Sequence, residues 1–442
     1  CMNKKTENKA VSPWQWVPSL YFAQGIPYVV VMSVAVILFK RMGMSNTDIA
    51  LYTSGLNLPW VIKPLWSPLV DLLKTKRWWI VVMQILVGAG LAGIALTIQG
   101  PLAFRYCLAF MWLLAFSSAT HDIAADGFYM LGLNEKKQAY FVGIRNTFYR
   151  FAVIFGQGIL VMFAGWLEQR YAREMPETAA IPQAWSLTFY LLTILFALLF
   201  VYHYLFLPHP RRDTCTLPPQ QASAGRVFKE FLGTFTSFFQ KKHIVSALIF
   251  ILLYRFAEAQ LVKITSPFLL DTPATGGLAL STAEVGFIYG TIGVIALTIG
   301  GIVGGIAMAR RGLKSCLWTM TIAMNLPNIV YLYLSFARPE SIGIISGCVA
   351  IEQFGYGFGF TSLTYFMMLF SNGKHQTAHY AICTGFMALG LMLPGMISGW
   401  IEESIGYRAF FVWIMLCTIP SFWATHLVRK NLTDNHSDNS SR

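Results

Sequence analysis

The sequence predicts an all-α membrane protein with twelve transmembrane helices in two pseudo-symmetric halves of six and both termini in the cytoplasm. Three observations predict it. The 442 residues are 55% hydrophobic and only 12% charged, about half the charged share of a soluble protein, and mean hydropathy is +0.54. Apolar runs of about 20 residues, the length that crosses a bilayer, recur along the whole chain. Lys and Arg favour alternate loops, 21 against 7, with 5 inside the runs, and the richer side is the cytoplasmic one.

In order, the runs cover 14–38, 47–70, 78–98, 104–131, 139–166, 184–206, 243–265, 283–308, 315–335, 342–370, 378–401 and 407–427. Runs four and ten exceed one crossing and imply tilt or extension beyond the membrane. The expected organisation is a cytoplasmic tail (1–13), a first half (14–206), a central cytoplasmic loop (207–242), a second half (243–428) and a cytoplasmic tail (429–442). The loop carries HPRRDT, the linker-like LPPQQASAG, and RVFKEFLGTFTSFFQKKH, which reads as an interfacial amphipathic helix. The net charge of +13 lies mostly between apolar runs, so it reports topology and not nucleic-acid binding. The seven cysteines are scattered without paired spacing, which argues against a disulfide framework or a metal site. The first run lacks a small-residue cleavage site, so no signal peptide is expected. Cys1, ahead of Met2, reads as an added residue or a start-site choice. There is no nucleophile–base constellation and no phosphate loop, so an enzyme is not expected.

Two offsets join the halves. Ser45-Asn-Thr-Asp48 precedes run 2 and Ser281-Thr-Ala-Glu284 precedes run 8, both with the spacing of a capping box. Ala164-Gly165-Trp166-Leu167-Glu168 closes run 5, and Ser398-Gly399-Trp400-Ile401-Glu402 closes run 11. Basic turns follow run 2 (Asp71 to Arg77) and run 8 (Arg310 to Lys314). A six-plus-six repeat around a central loop implies a major facilitator architecture, with substrate held at the midplane between the halves.

Nine charges fall inside runs: Lys63, Asp122, Asp126, Arg145, Arg150, Arg255, Glu258, Lys263 and Glu352. Uncompensated, each costs roughly 2.5–3.5 kcal/mol at a bilayer centre. The set therefore faces a wet cavity or pairs internally. Arg145 and Lys263 lie near run ends and are read as snorkelling outward. Asp122 and Asp126 share one helical face; two carboxylates so placed resist joint ionisation, which suits one of them to carry a proton. The alternative for them is a static bridge to Lys63 or Arg150. His121 is displaced from that face by about 100°. Arg150 and Arg255 are suited to grip a carboxylate or phosphate, with Arg255–Glu258 pairing as the alternative. Tyr149 and Tyr254 neighbour them, and together with Tyr21 and Trp60 are candidates to stack on a sugar. Gly25 and Pro27 read as a kink. Gly355-Tyr-Gly357-Phe-Gly359 and the Gly300/Gly304 pair read as close helix packing.

These stretches resemble the AmpG-type muropeptide permeases, a branch of the major facilitator superfamily, from about Tyr21 to Phe411. The residues that carry it are Gly25-Ile-Pro27, Lys63-Pro-Leu-Trp66-Ser67-Pro68-Leu-Val-Asp71, Ala119-Thr-His-Asp122-Ile-Ala-Ala-Asp126, Tyr149-Arg150, Leu253-Tyr254-Arg255, Glu352 and Ser398-Gly399-Trp400. The family pattern is K-F-L-W-S-P-L-x-D in run 2 and Q-D-I-x-x-D in run 4. The resemblance implies proton-driven import of anhydromuropeptides (GlcNAc–anhydroMurNAc peptides) across the bacterial inner membrane for peptidoglycan recycling, by a monomer with no cofactor beyond the proton gradient. It implies proton coupling through Asp122, Asp126 and Glu258, and substrate contacts from Lys63, Arg150, Arg255, Glu352, Tyr149 and Tyr254. Asp71, Arg77, Arg310, Gly25 and Pro27 are then candidates for gating. The sequence departs from the pattern at His121 (Gln in the family), at Arg255 and Glu258 (Lys and Asp), and at Leu391 (Arg in some members). Uptake of another large anion, a siderophore or an acyl-CoA, is the alternative, and a non-transporting membrane sensor a more distant one.

Overall fold

The computed structural model describes residues 12–210, 213, 233, 235–372 and 376–437, and among them it contains helices and turns but no strand. The helices are α1 (Pro13–Arg41), α2 (46–73, in two pieces), α3 (Lys76–Thr97), α4 (Ala103–Gly132), α5 (135–171), α6 (Glu177–Phe206), α7 (Ile244–Leu270), α8 (282–311), α9 (313–337), α10 (Ile342–Ser371), α11 (376–405) and α12 (407–437). The expected linker and the first part of the expected interfacial helix lie outside the described residues; the rest is helical over 235–239, with Phe238 fully buried against Phe250 and Phe366.

Side chains at the chain breaks start these helices. Thr75 accepts from the Trp78 N–H at 3.2 Å and Asn134 from Lys137 at 3.0 Å. Ser281 and Glu284 form a full capping box: Ser281 Oγ accepts from Glu284 N–H (3.3 Å), and the Glu284 carboxylate accepts from Ser281 N–H (2.7 Å). At the repeat-related start of α2, Ser45 caps Asp48 (3.0 Å), while the carboxylate of Asp48 meets the Ser45 hydroxyl instead of its backbone. Aspartate is one methylene shorter than glutamate.

Among the described residues, eight helical stretches are long and apolar enough to cross a membrane. Two of them, Thr282–Ala337 and Ala378–Asn431, are 56 and 54 residues long, far beyond the ~20 that one crossing needs. Both turn at a glycine with left-handed backbone, Gly312 (φ 72°) and Gly406 (φ 76°), a conformation that costs an L side chain. The 46–73 stretch is interrupted at Leu56-Asn57. Helices α1, α5 and α8 each contain a π-helical turn, at Val30–Val34, Ile154–Ile159 and Gly286–Gly293, a feature common where helices carry function.

Packing divides the molecule along its length. One large apolar cluster joins both halves of the chain, including Phe39 and Trp185 from the first and Phe268 and Tyr407 from the second. It lies at the end away from Pro13, which we call the far end. At the near end there are two separate clusters. One is built on Trp16, Phe128 and Phe141, the other on Phe238, Phe250 and Phe366. The halves thus share a core at the far end and keep separate cores at the near end. Between them, α2 runs along α11 and α5 along α8.

Gly25 lets α1 and α5 touch: a Cβ there would sit 2.6 Å from Ala152 Cβ. The predicted consequence is that Gly25→Ala destabilises by about 1–3 kcal/mol through overpacking, read as a lower melting temperature of the purified protein. Adding Ala152→Gly should recover most of the loss.

Candidate functional site

The buried charges form two sets at mid-height. In the first half, α4 supplies Asp122 and Asp126 one turn apart. Lys63 of α2 and Gln24 of α1 both donate to Asp122. Arg145 of α5 pairs with Asp126 at 3.3 Å, and the Tyr21 hydroxyl donates to the same Asp126 oxygen at 3.1 Å. The Arg145 guanidinium also donates to Tyr21 Oη (3.0 Å) and lies over the rings of Tyr21 and Tyr129, 4.7 and 5.1 Å from their centroids. Arg145 is therefore an inner member of the site, and the snorkelling reading of it is corrected. Helix α5 starts at 135 and carries Arg145 about 15 Å inward at 1.5 Å per residue.

In the second half the pairing is local. Arg255 and Glu258, one turn apart at the break in α7, lie 2.8 Å apart. Arg255 also donates to Tyr356 Oη at 2.8 Å and covers the rings of Tyr356 and Phe360. Glu352 accepts from Tyr331 Oη (3.2 Å) and Gln353 Nε2 (2.9 Å). Lys263 is 2% exposed and donates to the Thr53 carbonyl of α2 at 3.3 Å, so it crosses between halves instead of snorkelling. Tyr254 is turned away from the expected substrate contact. It is fully buried, its hydroxyl set against Ser362 (2.8 Å) and the Gly359 carbonyl (3.1 Å), so it braces α7 on α10.

Exposure separates the two sets. The side chains of Asp126 and Lys63 are 39% and 24% exposed, those of Arg255 and Glu258 only 10% and 7%. The first set borders open space and the second is sealed.

Arg150 follows Tyr149 on α5. It is half-buried and has no carboxylate partner among the described residues. The ring of that neighbouring Tyr149 lies 6.4 Å from Tyr28, which meets Trp60 edge-on at 5.3 Å. An unpaired guanidinium beside an aromatic group is an arrangement suited to an anionic ligand with a flat or ring-shaped part.

His121 points elsewhere, as its angular offset predicts. Its Nε2 lies 3.1 Å from Gln84, which reaches His203 (2.8 Å), and His203 reaches Ser19 (3.0 Å). This chain ties α4 to α3, α6 and α1. Of the gating candidates, Gly25 lies in the α1–α5 contact and Pro27 is buried within α1. Arg77 donates to the carbonyls of Tyr204 and Leu207 and so ends α6. Arg310 is exposed, and the side chain of Asp71 lies outside the described residues. Gly300 and Gly304 pack on α10 at Phe354 and Phe358, and Gly355, Gly357 and Gly359 are likewise contact points.

Sequence reasoning missed Gln24, Tyr28 and Tyr356. A polar or phenolic residue in an apolar run was the only signal, and many such residues simply pack.

The family model of the Major Facilitator Superfamily matches residues 19–377. The anhydromuropeptide permease of Escherichia coli K12 is 24% identical over 420 residues, covering 93% of this chain and 79% of the permease. Putative transporter AmpG 4 of Rickettsia conorii is 25% identical over 415 residues, 91% of this chain and 93% of its own. Among solved structures, the nucleoside transporter NupG superposes with a TM-score of 0.68 at 15% identity, over 94% of this chain and 98% of that one. A POT family transporter in complex with a thioalcohol-conjugated peptide gives 0.69 at 10%, over 94% and 95%.

The ion pairs make a prediction about stability. Lys63→Ala leaves Asp122 with Gln24 as its remaining partner in a partly open site, a loss of about 1–3 kcal/mol. Adding Asp122→Asn should return most of the folded fraction, measured by monodisperse yield after solubilisation. Equal yields for the single and double variants would contradict the pairing.

Proposed function

The chain belongs to the Major Facilitator Superfamily, and from that premise we propose that it imports anhydromuropeptides with protons across the bacterial inner membrane. It is a multi-pass membrane transporter for small molecules, and its relatives are transporters, not enzymes. The substrate follows the relatives named as anhydromuropeptide permease and AmpG, similar over nine-tenths of this chain. Muropeptides are anions with peptide carboxylates and sugar faces. The observation that carries the reading is Arg150, a cation without a carboxylate partner among the described residues, next in the chain to Tyr149, whose ring lies 6.4 Å from Tyr28.

The first-half pairs suggest how a proton and an anion would be coupled. Asp126 is the more open acid and is balanced by Arg145. A proton on Asp126 removes the charge that Arg145 balances and leaves that guanidinium able to meet a substrate carboxylate together with Arg150. Asp122 keeps Lys63 throughout. Binding of the anion and loading of the proton thereby favour one another, which is the requirement for symport. With both termini inside, the loosely joined near end is the cytoplasmic exit. The protein works as a monomer in this reading.

The test is uptake of radiolabelled anhydromuropeptide into proteoliposomes with and without an inward proton gradient. Gradient-dependent accumulation is expected. Asp126→Asn should abolish accumulation above equilibrium while sparing exchange. Arg150→Ala should raise the half-saturation concentration about 10–100-fold, the loss of a charge-assisted contact of ~1.5–3 kcal/mol. No uptake by folded, reconstituted protein would exclude the muropeptide assignment.

A further inference from the structure

The two motif pairs that mark the repeat are, in the folded chain, binding partners of one another. Gly165-Trp166-Leu167-Glu168 ends α5 and meets the start of α8, whose capping box is Ser281–Glu284. Glu168 Oε2 accepts from Thr282 Oγ at 2.7 Å. Gly399-Trp400-Ile401-Glu402 ends α11 and meets the start of α2, whose cap is Ser45. Glu402 Oε2 accepts from Asn46 Nδ2 at 2.7 Å. Thr282 and Asn46 are each the first residue after the cap. In both places the glycine one turn before the glutamate lies against the partner's first helical turn, Gly165 against Ala283 and Gly399 against Asn46, with no room for a Cβ.

We propose that these two Gly-x-x-Glu segments are a pair of symmetry-related latches that hold the far end shut, each half supplying one glutamate and one helix start. Both glutamates are buried, at 6% and 4% exposure. Glu168 is held for its task by Trp185 Nε1 (2.8 Å) and Arg41 Nε (3.1 Å) of its own half. Around Glu402 the closure is wider. Asn46 also donates to Tyr407 Oη (2.8 Å) and accepts from Lys40 Nζ (2.8 Å), while Lys40 and Tyr407 both hold Asp271 (2.7 and 2.6 Å). Further hydrogen bonds between halves join Lys263 to the Thr53 carbonyl, Thr47 to Glu403 and Thr291 to Met162 Sδ. A far end fastened by two matched contacts and a near end with separate cores is the arrangement of a molecule that opens by releasing those latches. The inference uses the transporter reading only for its consequence; the latches themselves are a property of the fold.

The experiment reads far-end opening without substrate. Ser54 is fully buried in α2 and packs on Gly395 of α11, so Ser54→Cys reports separation of the two helices. The protein is placed in lipid nanodiscs, and a polar maleimide is followed at that position by mass spectrometry. Thr282→Val and Glu402→Ala should each raise the labelling rate about fivefold, and the double variant well over tenfold, as expected for loss of one and two net hydrogen bonds. Arg170→Ala, which breaks the Arg170–Glu174 bridge inside one half, should leave the rate unchanged. Asn46→Asp opposes two carboxylates and should open the far end, and Asn46→Asp with Glu402→Gln should close it again. Labelling of the double variant at the unaltered rate would overturn the proposal, as would an Arg170→Ala effect of equal size or a swap variant as open as Asn46→Asp alone. Failure of muropeptide uptake would leave these outcomes untouched.

Discussion

A charge in hydrocarbon must be met by another charge, a hydrogen-bond partner or water, and this protein pairs its charges differently in its two halves. In the first half the partners lie on different helices. Lys63 and Asp122 tie α2 to α4, and Arg145 and Asp126 tie α5 to α4, with Tyr21 and Gln24 adding α1. In the second half Arg255 and Glu258 are neighbours on α7, and a local pair satisfies its charges without holding two helices together. Any change of charge on α4 is therefore felt by three other helices, whereas one on α7 stays near its origin unless Tyr356 transmits it. The difference follows from sequence spacing: residues three or four apart on one helix meet each other, but the first-half acids have no cation at that distance.

What the sequence made legible was whatever depends on local periodicity or on cost. Apolar length marked most of the membrane-crossing helices, and the improbability of charges among them marked the mid-height layer. The caps at Ser45 and Ser281 were readable because a helix start needs a side-chain acceptor within three residues. The places of Arg145 and Lys263 were not. Both looked like run ends, but hydropathy locates a run only to a few residues and helix α5 begins earlier than its apolar stretch. Lys263 donates to the Thr53 carbonyl, and a backbone carbonyl leaves no trace in a residue pattern. Tyr254 was misplaced for a related reason. Its neighbour Arg255 faces the charged layer, but the turn at 254–255 aims the phenol at Ser362 and Gly359.

The repeat was legible as repetition and silent about contact. Two copies of a Gly-x-x-Glu ending and two copies of a capped start imply duplication, and nothing in the spacing says that each ending meets the other copy's start. That follows only from the fold, which lays α5 on α8 and α2 on α11. Glycine is what lets the backbones come close enough for the glutamate to reach, so a motif that looked like a helix terminator is also a docking surface.

The two contacts are alike in plan and unequal in content, and the inequality bears on how the far end separates. Glu168 keeps Trp185 and Arg41 whatever α8 does, so parting α5 from α8 breaks one hydrogen bond there, the one from Thr282. Parting α2 from α11 and α12 breaks the bonds of Asn46 to Glu402 and to Tyr407, and parting α1 from α7 breaks Lys40–Asp271. These three share Asn46, Tyr407 and Lys40, so loss of one weakens the others, and contacts coupled in this way are lost together instead of one at a time. The α5–α8 contact can thus yield gradually while the α2–α11 contact holds and then releases as a unit. A symmetric fold acquires an order of events from unequal satisfaction of two equivalent carboxylates.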